Sequence, residues 1–121
     1  MINTELIMFS SDLSSTKLVK QGTGSVSVAA LGGAGETYGI ATIPHGYGSS
    51  ELIFQVAATR DIGGTDITTI AQLPWYSPDG RIYQYAYVDE TNLYVVCLSY
   101  TASGSGAPAR TMNFEYRLLI P

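Results

Sequence analysis

Two stretches of the chain place apolar side chains at every second position. In residues 51–59 (ELIFQVAAT) Leu52, Phe54, Val56 and Ala58 share one face. In residues 110–120 Met112, Phe114, Tyr116, Leu118 and Ile120 share one, with Thr111, Asn113, Glu115 and Arg117 on the other. A period of two is the pleat of a strand with one side buried and one side in water. Residues 4–10, 24–31, 36–43, 67–73, 82–88 and 93–101 add six further strand-like runs. Between the runs stand turn formers: LGGAG at 31–35, PHGYGSS at 44–50, RDIGGTD at 60–66, PWYSPDG at 74–80, DETN at 89–92 and ASGSGAPA at 102–109. No window of ten residues carries a helical apolar stripe, and residues 10–21 read as loop or a single helical turn. Eight short, evenly spaced strands in 121 residues predict one domain, 1–121. Its class is all-β, an antiparallel β-sandwich, jelly-roll-like.

One hairpin can be drawn from the sequence in register. Asp89 to Asn92 suit a tight connection between 82–88 and 93–101. Pairing Val88 with Leu93 then sets Tyr87 opposite Tyr94, Tyr85 opposite Val96 and Tyr83 opposite Leu98, with Tyr100 on the same face. The other face carries Ile82, Ala86, Val88, Leu93, Val95 and Cys97, with Gln84 among them. A two-layer sandwich covers only one face of such a hairpin. The tyrosine face is left needing a partner, and a second copy of the chain is the simplest one.

Composition narrows the class of function. Charged residues are 13% of the chain, about half the usual share of roughly 25%. Apolar residues are 45%, which excludes a disordered chain. A net charge of −4 argues against nucleic acid as a partner. The N-terminal apolar run Leu6 to Phe9 is too short for a signal-peptide core, and no stretch approaches a membrane span. Neither Sec export nor membrane insertion is expected. Cys97, the one cysteine, sits mid-strand and is expected to be a buried free thiol.

No catalytic set stands out. His45 is the sole histidine and lies in the turn-like IPHGYG, where local hydrogen bonding is the expected role. There is no nucleophile elbow, and Cys97 lacks the helix-start setting that activates a thiolate. Asp61, Asp66, Asp89 and Glu90 could offer oxygens to calcium, but not in the order of a calcium loop. The glycine pairs precede no helix, so a phosphate cradle is not expected. The chain is read as a non-enzyme without cofactor. Trp75 and Tyr76 in a Pro-bounded loop, and Tyr47 in a Gly-rich one, are candidates for stacking on a glycan or anchoring a partner.

Residues 22–58 carry Thr42, Ile43, His45, Gly46 and Gly48, followed by Leu52, Phe54 and Val56. This stretch resembles a module of tailed-bacteriophage virion proteins, found in tail fibres, tail tips and small head or neck appendages. There a strand of small residues leads into an I-x-H-G-L-G-Y-x-P turn. The run from Tyr83 to Val95 is similar to the hairpin that follows in such modules. Tyr47 stands where the leucine is usual, and Ser49-Ser50-Glu51 replaces the proline. The resemblance implies a β-sandwich virion structural protein, commonly a homotrimer, made in the host cytoplasm and docked on a larger capsid, neck or tail protein. Residues 1–21 and the strand 110–120 are the expected docking elements, and a host glycan is the alternative partner.

Overall fold

The computed structural model describes residues 17–48, 52–59, 70–77 and 80–120. Among them the chain forms eight strands: β1 Lys17–Val28, β2 Gly35–Pro44, β3 Ile53–Thr59, β4 Ile70–Gln72, β5 Trp75–Tyr76, β6 Ile82–Val88, β7 Asn92–Thr101 and β8 Arg110–Ile120. No helix of the described residues is long and apolar enough to cross a membrane. The strands make two four-stranded antiparallel sheets, in the orders β1-β8-β3-β4 and β2-β7-β6-β5. This is the antiparallel sandwich that the alternation predicts. An eight-stranded ribbon rolled up from its middle would pair β1 with β8, β2 with β7, β3 with β6 and β4 with β5. The first two pairings are present. In place of the other two, β3 pairs with β4 and β5 pairs with β6, so the fold is jelly-roll-like in its outer strands alone.

The inward faces supply one core. Val26 of β1, Val56 of β3, Leu93 and Val95 of β7, and Met112 and Leu118 of β8 are all buried within it. Cys97 is buried there as a free thiol. Fully burying an aliphatic side chain contributes about 1.5–3 kcal/mol, so these positions carry much of the stability. The core's rim is polar. Gln84, Ser99, Thr101 and Arg110 are buried, with Gln84 Nε2 donating to the Thr59 carbonyl at 2.9 Å and Arg110 Nε reaching Ser99 Oγ at 3.4 Å.

β1 departs from the expected boundaries. It begins at Lys17, inside the segment read as loop, and stops at Val28 instead of running to 31. A bulge between Leu18 and Lys20 breaks the alternation there. Gly22 and Gly24 then hide it further, because they occupy inward positions opposite Tyr116 and Phe114. A Cβ on either glycine would strike the ring across from it. The two aromatic rings fill space that β1 leaves empty.

β5 is a second departure, since Trp75–Tyr76 was expected to be loop and instead pairs with Gln84 and Tyr83 of β6. The strand expected at 4–10 and residues 67–69 of the run 67–73 lie outside the described residues, as do Asp61 and Asp66. So do residues 1–16 of the expected docking segment. Residues 17–21 of that segment are paired within β1. The second expected docking element is not free. Residues 114–119 of β8 are paired on both sides, by β1 and by β3, so that stretch has no open edge to offer a neighbour.

Candidate functional site

The two outer faces of the sandwich differ sharply in chemistry. Outside β1-β8-β3 the side chains are Gln21, Thr23, Ser25, Gln55, Asn113 and Arg117, an ordinary solvated surface. Outside β2-β7-β6-β5 the surface is aromatic. The hairpin register is the one the sequence dictates: Val88 opposite Leu93, Tyr87 opposite Tyr94, Tyr85 opposite Val96 and Tyr83 opposite Leu98. β2 then extends this face, because Tyr38 sits beside Leu98 and Ile40 beside Val96. Tyr76 extends it on the far side, beside Tyr83. Seven of the nine tyrosines are on this one face. Glu36 is the only charged residue in its four strands.

Five rings form a continuous ladder. Tyr76–Tyr83, Tyr83–Tyr85, Tyr85–Tyr87 and Tyr87–Tyr94 have centroids 5.3, 4.9, 6.2 and 4.8 Å apart, at interplanar angles of 20–32°. Near-parallel rings this close overlap with an offset; coplanar rings lying side by side could not approach so far. Beneath the ladder Val96 is 3% exposed although it points outward, because the aromatic side chains roof it. The roof itself is open. Tyr38 is 66% exposed, Tyr76 62%, Tyr87 44% and Tyr100 43%. With roughly 150–250 Å² per aromatic side chain, the exposed parts of this face amount to on the order of 600 Å². That equals the upper end of the largest apolar patch on an ordinary monomer, about 300–600 Å².

One end of the ladder is locked by the β6–β7 turn. Asp89 Oδ1 accepts from the Thr91 amide at 2.9 Å and the Asn92 amide at 2.7 Å, and Oδ2 accepts from Tyr94 Oη at 2.9 Å. Those backbone hydrogen bonds, helped by the Tyr94 hydroxyl, lower the Asp89 pKa from 3.8 to about 2. A depressed carboxylate pKa stabilises the fold above the unfolded value and loses that contribution as pH falls through the folded one. The Thr91 and Asn92 amide resonances are expected to titrate with a midpoint near 2; a midpoint at 3.8 would show the carboxylate unbound. This carboxylate is spent on the turn. Among the described residues no three His, Cys, Asp or Glu side chains come together as a metal site.

His45 joins the same corner. Its Nδ1 accepts from the Tyr47 amide at 3.0 Å, which leaves Nε2 as the protonated donor to the Asp89 carbonyl at 2.9 Å. The ring is 8% exposed, so it staples the β2–β3 loop to the hairpin turn. Neither nitrogen is left to act as a base. Gly46 and Gly48 take positive φ, +70° and +63°, which lets the loop double back and lay Tyr47 over His45 with centroids 6.1 Å apart. Tyr47 Oη donates to the Val19 carbonyl at 2.9 Å.

The three aromatics expected to act together are separated by the fold. Trp75 faces inward and packs against the core. Tyr76, its neighbour, faces outward and ends the tyrosine ladder. Tyr47 belongs to the His45 corner. Of the five tyrosines expected at a subunit interface, Tyr83, Tyr85, Tyr87, Tyr94 and Tyr100 all lie on the one aromatic face. Tyr38 and Ile40 complete it and were not singled out. The alternation in ETYGIATI puts them on one side of a strand, but only the pairing of β2 with β7 shows which side.

The fold and this face define a class: a small all-β sandwich with one polar and one aromatic outer sheet. No family model matches the chain, and no curated protein or solved structure matches it.

Proposed function

We propose that the protein is a non-enzymatic assembly subunit that associates with its own copies through the tyrosine face. The observation that carries this reading is the contiguous aromatic surface on β2-β7-β6-β5, built on strands with a single charge. Identical faces that meet bring like charges together. With Glu36 as the one charged side chain of its strands, this face meets little of that repulsion, so a second copy suits it well. Two such faces would bury about 1,200 Å², the lower limit of a standard stable interface. A single patch closes on itself about a two-fold axis, whereas a trimer needs a second patch.

The setting we propose is a virion, as a head-decoration, neck or tail appendage docked on a larger virion protein. Its support is the likeness of residues 22–58 and 83–95 to phage modules. A glycan stacking on Trp75, Tyr76 and Tyr47 together is disfavoured, since these residues sit in three different environments. Sedimentation equilibrium of the purified chain tests association. The expected mass is twice 12.9 kDa; three times that value would show a second contact patch, and a lone 12.9 kDa species at tens of micromolar would overturn the reading.

A further inference from the structure

His45 is held at both ring nitrogens by backbone from two different segments, and those partners fix which nitrogen carries the proton. A backbone N–H can only donate, so the Tyr47 amide at 3.0 Å requires a bare lone pair on Nδ1. A carbonyl can only accept, so the Asp89 oxygen at 2.9 Å requires the proton on Nε2. The loop conformation is therefore built on the neutral imidazole. The ring is 8% exposed, which leaves water little room to replace either partner.

A second proton has one place to go, Nδ1, and the Tyr47 N–H already points there. Two hydrogens cannot occupy one hydrogen bond, so the imidazolium and the Tyr47 amide must part. The far side of the ring holds more firmly. A positive charge strengthens the bond from Nε2 to the Asp89 carbonyl, and the Asp89 side chain locks that turn through the Thr91 and Asn92 amides. The loop is the weaker side: Gly46, Tyr47 and Gly48 are exposed, and a glycine on each side of Tyr47 lets its peptide turn.

The charged groups around the ring offer a protonated Nδ1 no replacement acceptor. Both Asp89 carboxylate oxygens already accept hydrogen bonds, one of them from Tyr94 Oη. Glu90 is exposed on the turn. Lys20 of β1 brings a further donor, bound to the Pro44 carbonyl. The Tyr47 ring, stacked at 6.1 Å, stands at the limit of about 6 Å for a cation–π contact. We propose that His45 is an acid-sensitive latch, in which protonation at Nδ1 releases the Tyr47 amide and the loop 46–48. The release reaches β1, because Tyr47 Oη holds the Val19 carbonyl at the bulge of that edge strand. It does not depend on association through the tyrosine face.

The test follows the full chain by NMR from about pH 7.5 to about pH 5, across the range in which histidine takes up its second proton. The His45 ring nitrogens report protonation itself. The Gly46, Tyr47 and Gly48 amides are expected to shift with the same midpoint as the ring. Hydrogen-exchange protection of the Tyr47 amide, corrected for the intrinsic pH dependence, is expected to fall about tenfold, as loss of one hydrogen bond would. His45→Asn is the control, because an asparagine oxygen accepts from the amide two residues on without taking up a proton in this range. Its Tyr47 amide is expected to stay protected throughout. Ring protonation that leaves the native Tyr47 amide unmoved would overturn the proposal, as would a ring still neutral at the acid end. The same pH response in His45→Asn would overturn it too, by placing the titrating group elsewhere. The native titration decides alone if the variant does not fold.

Discussion

Lysines in place of Tyr38 and Tyr87 are expected to convert the associated protein into a folded 12.9 kDa monomer. Both rings are exposed, 66% and 44%, and they lie on different strands of the aromatic face. Central aromatic anchors in protein interfaces cost about 2 kcal/mol or more when truncated. Two of them together amount to roughly 4 kcal/mol, about a thousandfold in the dissociation constant. A buried ammonium group adds its own desolvation cost, and a copy presents the same charges again. The fold should survive, because neither side chain belongs to the core. The observable pair is a sedimentation mass at one chain per particle and a melting temperature within a few degrees of the native value. A double variant that still associates as tightly as the native chain would show that the interface lies elsewhere.

The second large effect concerns the closure of the sandwich. Gly39 on β2 points inward where β2 crosses β1, and a Cβ there would collide with the Ser27 carbonyl oxygen and stand 2.9 Å from Val26 Cγ1. A clash with backbone cannot be relieved by turning a side chain, so the two sheets would have to separate at this edge. Overpacking of that kind costs about 1–3 kcal/mol, occasionally more. Gly39→Val is expected at or above the upper value, a fall in melting temperature of roughly 10 °C or more. Gly32→Ala is the matched control, because a Cβ there meets nothing within 4 Å. Its effect should stay within about 0.5 kcal/mol, as for surface substitutions generally. Equal melting temperatures for the two variants would contradict the close approach of β1 and β2.

Much of this structure is legible in the sequence, and the illegible parts have definite causes. The hairpin from Ile82 to Thr101 is readable residue by residue. Its alternation is unbroken, and Asp89 can satisfy the turn's amides from its own side chain. β3 and β8 are readable for the same reason. β1 is not, because a bulge shifts its phase and two glycines stand where the pattern needs large side chains. Nor is the fate of Trp75 and Tyr76, since a two-residue strand sends consecutive aromatics to opposite sides of a sheet. The aromatic face was half visible. The tyrosines of one hairpin announce it, but its true width depends on β2, which sequence order does not place beside β7, and on β5, whose Pro-bounded residues read as loop.

Hydroxyl-radical footprinting read residue by residue, on concentrated and on diluted protein, tests most directly whether the tyrosine face is where copies meet. Tyr47, 42% exposed at the His45 corner, serves as an internal standard outside the face. The expected result is protection of Tyr38, Tyr76, Tyr87 and Tyr100 on concentration, with Tyr47 labelled equally in both samples. Labelling of all five tyrosines that does not change with concentration would contradict self-association through this face.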